Sequence, residues 1–143
     1  MHRHSSVLLI DDSAGERELF RQALLRTNLD VALYAEQDAE AALHFLKDRP
    51  DLPELILLDW HLHHQRGDVF LKRLRSEPRF AAIPVVAFTT SDDAADLSAA
   101  YANMVNGYVV KPETFEDLVL CVGDICRYWL ARNRTPYWVE TAC

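Results

Sequence analysis

The feature that most constrains this chain is a set of short apolar runs without polar alternation, each stopping on a charged or hydroxyl residue. Val7-Leu8-Leu9-Ile10 stops on Asp11-Asp12, and Ile56-Leu57-Leu58 stops on Asp59. Ile83 to Phe88 stops on Thr89, and Tyr108-Val109-Val110 stops on Lys111. A strand wetted on one face alternates apolar and polar residues, so an unbroken run reads as a strand covered on both faces. Such strands belong to parallel sheets flanked by helices.

The intervening segments have helical spacing. Ser13 and Glu16 form a capping-box start, and Leu19, Phe20, Ala23 and Leu24 then share one face. Val31 to Ala35 reads as strand two; Ala39, Ala42, Leu43 and Leu46 give helix two its apolar stripe before Pro50 and Pro53 break it. The polar loop from His61 to Arg66 passes Gly67 into helix three, with Val69, Phe70, Leu71 and Leu74 apolar. Strand four has Pro84 at its entrance, where a missing N–H does least harm. An alanine-rich helix four from Asp92 to Asn103 leans on Leu97, Ala100 and Tyr101. Strand five runs from Gly107 to Lys111. A last helix from Thr114 to about Arg132 carries the stripe Phe115, Leu118, Val119, Val122, Ile125, Cys126 and Trp129.

Parallel neighbours need crossover connections, and those are right-handed, so five alternating strands and helices predict a doubly wound α/β domain. The flavodoxin-like strand order 2-1-3-4-5 fits and puts the switch point between strands one and three, where Asp11, Asp12 and Asp59 converge. At 143 residues the chain suits one domain. We assign it residues 1–132, leaving 133–143 as a C-terminal tail. A net charge of -7, spread along the chain, removes the usual electrostatic footing for nucleic-acid binding. No apolar run is long enough to cross a bilayer, and the start lacks a secretory signal, so a cytoplasmic protein with no membrane contact is expected. Cys121, Cys126 and Cys143, odd in number, read as reduced thiols.

Four strands thus offer charge or hydroxyl at one end. Three carboxylates within about 4 Å of one another would repel by several kcal/mol per pair at a realistic effective dielectric, so positive charge must sit among them. Lys111 supplies one compact charge. A hard divalent cation held by oxygens supplies the rest, and Mg²⁺ suits few carboxylates, several waters and a phosphate. One aspartate can then stay ionised and attack a phosphoryl group; Asp59, centred on the sheet, is our choice, with the pair Asp11-Asp12 placed to hold metal. Thr89 and Lys111 are positioned to take phosphoryl oxygens.

These residues resemble a response-regulator receiver domain of two-component signalling. The matching features are Asp11-Asp12, Asp59 with Gly67 eight positions later, Thr89, and Tyr108-Val109-Val110-Lys111-Pro112, over about Ser6 to Leu130. The resemblance implies phosphorylation of Asp59 by a sensor histidine kinase. It also implies metal binding by Asp12, Asp59 and the main-chain carbonyl of His61, and a switch in which Thr89 turns toward the phosphate as Tyr108 changes rotamer. Phe88 to Asp92, the approach from Glu77-Pro78 to Pro84, and Tyr128-Trp129 are similar to small stand-alone receivers paired with phytochrome kinases. Receivers usually carry proline four residues after the acceptor. His63 stands there, which predicts a less rigid loop, and His61 is placed to crowd or tune the water that hydrolyses the acyl phosphate.

Plainer readings stand beside these. Asp11 can cap a turn, Ser91 can cap helix four, and a lone Lys111 would be a solvated lysine. His61, His63 and His64 invite zinc, but without neighbouring cysteine they read as solvated loop residues. Asp59-Trp60-His61 lacks the second acid of haloacid-dehalogenase-type phosphatases, so no turnover phosphatase is expected. Helix five has more apolar surface than one sheet face covers. A homodimer through helix four, strand five and helix five is therefore expected, with Val109, Leu120, Cys121 and Tyr128 at the interface. The tail aromatics can fold back or reach across a partner. The alternative function is a non-phosphorylated pseudo-receiver acting as a dimeric scaffold.

Overall fold

The computed structural model describes residues 5–62 and 65–133. Five parallel strands, β1 (Ser6–Ile10), β2 (Ala32–Glu36), β3 (Leu55–Leu58), β4 (Val85–Thr89) and β5 (Gly107–Val110), form one sheet in the order β2-β1-β3-β4-β5. The helices are α1 (Ala14–Arg26), α2 (Ala39–Lys47), α3 (Gly67–Ser76), α4 (Ala94–Ala102) and α5 (Phe115–Cys126). This is the doubly wound order expected from the sequence, with the unbroken apolar runs as its buried strands.

Every residue of β1, β3 and β4 is buried, and their side chains divide by the two-residue period of a strand. Leu8, Ile10, Ile56, Leu58, Val85 and Ala87 face α2 and α3, together with Ala100 of α4. Val7, Leu9, Leu55, Leu57, Val86 and Phe88 face α1 and α5. Full burial of each large side chain is worth about 2 kcal/mol. The central strands are therefore held from both sides, and their carboxyl ends form a rigid rim.

Several local expectations give way. On α1, Leu19 is 44% exposed, so the buried stripe narrows to Phe20, Ala23 and Leu24. Val69 of α3 also faces out. α4 begins at Ala94 and buries Ala100 alone; Leu97 and Tyr101 lie on the surface. Its cap is Asp93, whose Oδ1 accepts from the Ala95 N–H at 2.9 Å, not Ser91. The segment after β3 is an antiparallel ribbon pairing His61 with Arg66 and Leu62 with Gln65, rather than an open loop. The last helix is α-helical to Cys126 and continues over Arg127–Arg132 in the wider π form, closed by the Asn133 N–H on the Tyr128 carbonyl at 2.7 Å. Trp129 of that turn packs on Gly107, where a Cβ would stand 3.4 Å from its Cζ2. Cys121 and Cys126 are free thiols. His63, His64, Cys143 and the tail aromatics Tyr137 and Trp138 lie outside the described residues.

Candidate functional site

The backbone ladder carries on past the strand ends and delivers each rim residue. The Asp59 N–H donates to the Ile10 carbonyl at 2.9 Å, the Asp11 N–H to Glu36 at 3.1 Å, and the Lys111 N–H to Thr89 at 2.8 Å. Asp11, Asp12, Asp59, Thr89 and Lys111 are thereby gathered at one end of the sheet. Asp11, Asp12 and Asp59 each present an oxygen, all within 4.8 Å of one another. Lys111 Nζ lies 2.6 Å from Asp11 Oδ2, 3.4 Å from Asp59 Oδ2 and 3.8 Å from Glu16 Oε2.

Asp11 does both things its position offered. Oδ1 accepts from the Ser13 N–H at 2.9 Å and Oδ2 holds Lys111, while its carbonyl accepts from Arg17 Nη1 at 2.7 Å. Ser13 caps α1 by accepting from the Glu16 N–H, but with its own N–H already on Asp11 the box is not reciprocal. Glu16 turns instead toward Lys111.

Burial pushes the Asp59 carboxyl above its usual pKa, and the Lys111 charge, the His61 N–H and the Thr89 hydroxyl only partly offset it. Burial would depress the Lys111 ammonium, but its bond to Asp11 and the charges of Asp59, Asp11 and Glu16 outweigh that and raise it. Among the described residues the site sets three clustered carboxylates, with Glu16 nearby, around the Lys111 ammonium. An all-oxygen, strongly anionic donor set fits a hard divalent cation such as Mg²⁺ or Mn²⁺ and does not fit a thiophilic one.

Thr89 is buried at the end of β4, and the Ser91 N–H reaches its Oγ1 at 3.5 Å. Tyr108, partly buried on β5, donates its hydroxyl to the Ser91 carbonyl at 2.7 Å. His61 meets the site through its backbone: its N–H donates to Asp59 Oδ1 at 3.1 Å, while the ring turns away to Asp96 Oδ2 at 2.6 Å. Of the four residues expected at a subunit contact, Leu120 and Tyr128 are exposed, whereas Val109 and Cys121 pack against the domain's own core. Strand alternation turns Val110 outward in place of Val109.

Sequence reasoning missed three neighbours of the site. Trp60 is fully sealed in the core directly after Asp59. A Cβ at Gly67 would fall 2.7 Å from Trp60 Cε3 and 3.1 Å from Leu58 Cδ2, so the glycine makes room for the indole. Asp96 joins His61 and Ser91, and its position in the first turn of an alanine-rich helix gave no hint of either partner. Glu16 was read as a cap alone.

Comparison with known proteins agrees with this geometry. The model of the response regulator receiver domain matches residues 7–122. The chain is 37% identical over 134 residues to the probable methanogenesis regulatory protein FilR2 of Methanothrix harundinacea, covering 91% of this chain and 86% of that protein. It is 33% identical over 135 residues to the response regulator Rcp1 of Synechocystis sp., covering 91% and 92%. The Mn²⁺-bound structure of Rcp1 superposes with a TM-score of 0.78 at 32% identity, over 92% of this chain and 99% of that one. The phosphorylated cyanobacterial phytochrome response regulator RcpA superposes with a TM-score of 0.84 at 27% identity, over 94% and 99%. A family match across most of the chain, on the fold that gathers these acids and this lysine, places the protein in the response regulator receiver domain family.

Proposed function

We propose that the protein is a phosphoacceptor of a two-component pathway: a sensor histidine kinase transfers a phosphoryl group to Asp59 in a divalent-cation-dependent step, and the domain signals by changing shape. The observation that carries this reading is the meeting of three carboxylates within 4.8 Å with one buried ammonium. Asp59 is the nucleophile because it directly follows the central strand β3 and keeps some access, with its side chain 13% exposed against 2% for Asp11. A carboxylate oxygen of Asp59 attacks phosphorus as the bond to the donor breaks. The Lys111 ammonium and the Thr89 hydroxyl are hydrogen-bond donors for phosphoryl oxygens, which is most of what phosphoryl transfer asks of a protein. Asp11, Asp12, Asp59 and the His61 carbonyl would hold Mg²⁺, which when bound supplies positive charge against the oxygens of the transferring group.

Thr89 and Tyr108 form the switch in this reading. Turning the Thr89 hydroxyl toward a phosphoryl group releases the Ser91 N–H, and Tyr108, bonded to the Ser91 carbonyl, moves with that loop. The receiver occupies residues 1–132 and the tail 133–143. The exposed apolar residues Leu97, Tyr101, Val110, Leu120 and Tyr128 support a homodimer through α4, β5 and α5, with Val109 and Cys121 beneath its contact residues. A phytochrome-type kinase is the proposed donor, because RcpA is a phytochrome response regulator. Self-phosphorylation and slow self-dephosphorylation are its only chemistry, in the cytoplasm, without nucleic acid or membrane; among the described residues no helix is long and apolar enough to span a bilayer.

Intact mass after incubation with acetyl phosphate and Mg²⁺ tests the central claim. Wild type gains one phosphoryl group and Asp59→Asn does not. No gain from wild type with any divalent cation replaces this reading with the scaffold one. Failure to accept phosphate from a phytochrome-type kinase overturns only the choice of donor.

A further inference from the structure

Two segments flank Asp59: the ribbon after β3, which supplies the His61 N–H, and the loop from Thr89 into α4. One carboxylate fastens them together. Asp96 Oδ2 accepts from Ser91 Oγ at 2.6 Å and meets His61 Nε2 at 2.6 Å, across 35 positions of sequence. An acid in the first turn of a helix usually serves that helix's own N-terminus. Here Asp93 caps α4, and the Asp96 oxygen is committed to two side chains outside the helix. Its side chain is only 15% exposed and its bond to Ser91 is partly buried, while the bond to His61 stands at the surface. Such short contacts to a charged oxygen are the stronger kind of hydrogen bond.

We propose that Asp96 is a positioning residue for the chemistry at Asp59, a clamp that ties the His61 ribbon to the Thr89–Ser91 loop and closes that side of the mouth. The inference rests on the phosphoacceptor reading given above. His61 is the hinge point: its backbone N–H holds Asp59 Oδ1 while its ring holds Asp96. Ser91 is the other jaw, since its carbonyl holds Tyr108 and its hydroxyl holds Asp96. With the clamp shut, water reaches an acyl phosphate on Asp59 slowly. Cutting it frees the ribbon and opens the site.

Two measurements test the clamp. The first follows loss of the acyl phosphate after removal of excess donor in wild type, Asp96→Ala, His61→Ala, the double variant and Asp96→Asn. Asp96→Ala and His61→Ala each shorten the lifetime about threefold or more, and the double variant is no faster than either single one, as expected when two residues act through one contact. Asp96→Asn, which keeps an oxygen acceptor, stays within about 1.5-fold of wild type, a rescue that a generally loosened fold would not show. Additive effects, or lifetimes equal to wild type, overturn the proposal. The second measurement needs no phosphate: exchange of the amides of residues 61, 62, 65 and 66 rises about fivefold or more in Asp96→Ala while the β1 and β3 amides are unchanged. If wild type takes up no phosphoryl group the functional reading fails by itself, and unchanged ribbon exchange then removes the clamp as well.

Discussion

Replacing Asp59 by asparagine should stabilise the protein in the absence of divalent cation, although it removes the residue on which the function rests. Asp59 faces two acids at separations up to 4.8 Å, each costing about 3–4 kcal/mol at an effective dielectric near 20. Against this it has Lys111 at 3.4 Å, worth about 5 kcal/mol on the same scale. Attraction and repulsion are of similar size and burial is the leading cause of the raised carboxyl pKa, so the gain, about 2 kcal/mol, comes from the desolvation penalty that a neutral amide escapes. In EDTA and low salt, urea denaturation followed by circular dichroism should show the variant about 2 kcal/mol more stable, with its thermal midpoint about 5–8 °C higher. Saturating Mg²⁺ should reverse the order, since a ligand at about 100 times its Kd stabilises the folded state by about 2.7 kcal/mol and the variant has lost one of the three acids. The pH dependence follows in sign. A carboxyl raised in the folded state destabilises it fully above the folded pKa, and the deficit fades as pH falls toward the ordinary carboxylate value. The gap between variant and wild type should therefore be widest near neutrality and close in acid. A metal-free variant no more stable than wild type, or equal stabilisation of both by Mg²⁺, refutes the reasoning.

Lys111→Met leaves Asp11 buried without its 2.6 Å partner and should cost about 3 kcal/mol in metal-free denaturation; a loss under about 1 kcal/mol contradicts the charge balance described. Because the Lys111 pKa is raised in the fold, its contribution is complete below the unfolded value of 10.5 and vanishes as pH climbs through the folded one. Gly67→Ala drives a Cβ to 2.7 Å from the sealed Trp60 ring and should lower stability by about 2–3 kcal/mol in thermal melts, with a shifted indole emission; a neutral result means the ring has room to move. Arg75, half-buried, donates to the Ala81 and Ile83 carbonyls at 3.0 and 2.7 Å and to Asn106 Oδ1 at 2.8 Å. Arg75→Ala should cost about 2 kcal/mol without altering Mg²⁺ affinity, because these bonds lie at the end of the sheet opposite the acids.

What the sequence disclosed, it disclosed through position in the sheet. An unbroken run such as Leu55–Leu58 reads as a strand covered on both faces, and parallel strands joined by crossovers end on one side, so Asp11, Asp59 and Lys111 could be placed at one rim from the sequence alone. Their bonding was less legible: Lys111 sits closer to Asp11 than to Asp59, a choice of rotamer that spacing does not encode. Asp96 stayed hidden because its partners, Ser91 and His61, come from different loops. The two-residue arms of the His61–Arg66 ribbon are too short to show a period, and the π turn at Arg127–Arg132 leaves the apolar spacing of the helix nearly intact. Leu19 and Tyr101 were misplaced because helical periodicity marks an apolar stripe without saying how far the neighbouring layer extends to cover it.

Asp11 has a broader consequence. The same carboxylate seats the Ser13 N–H where the chain turns into α1 and holds the ammonium of Lys111 from the far edge of the sheet. Exchange of this residue cannot retune reactivity alone, since it also unfastens the first crossover from the fifth strand. Designers wishing to adjust signal duration would do better to work on the ribbon side of the mouth, leaving this hub as fixed masonry.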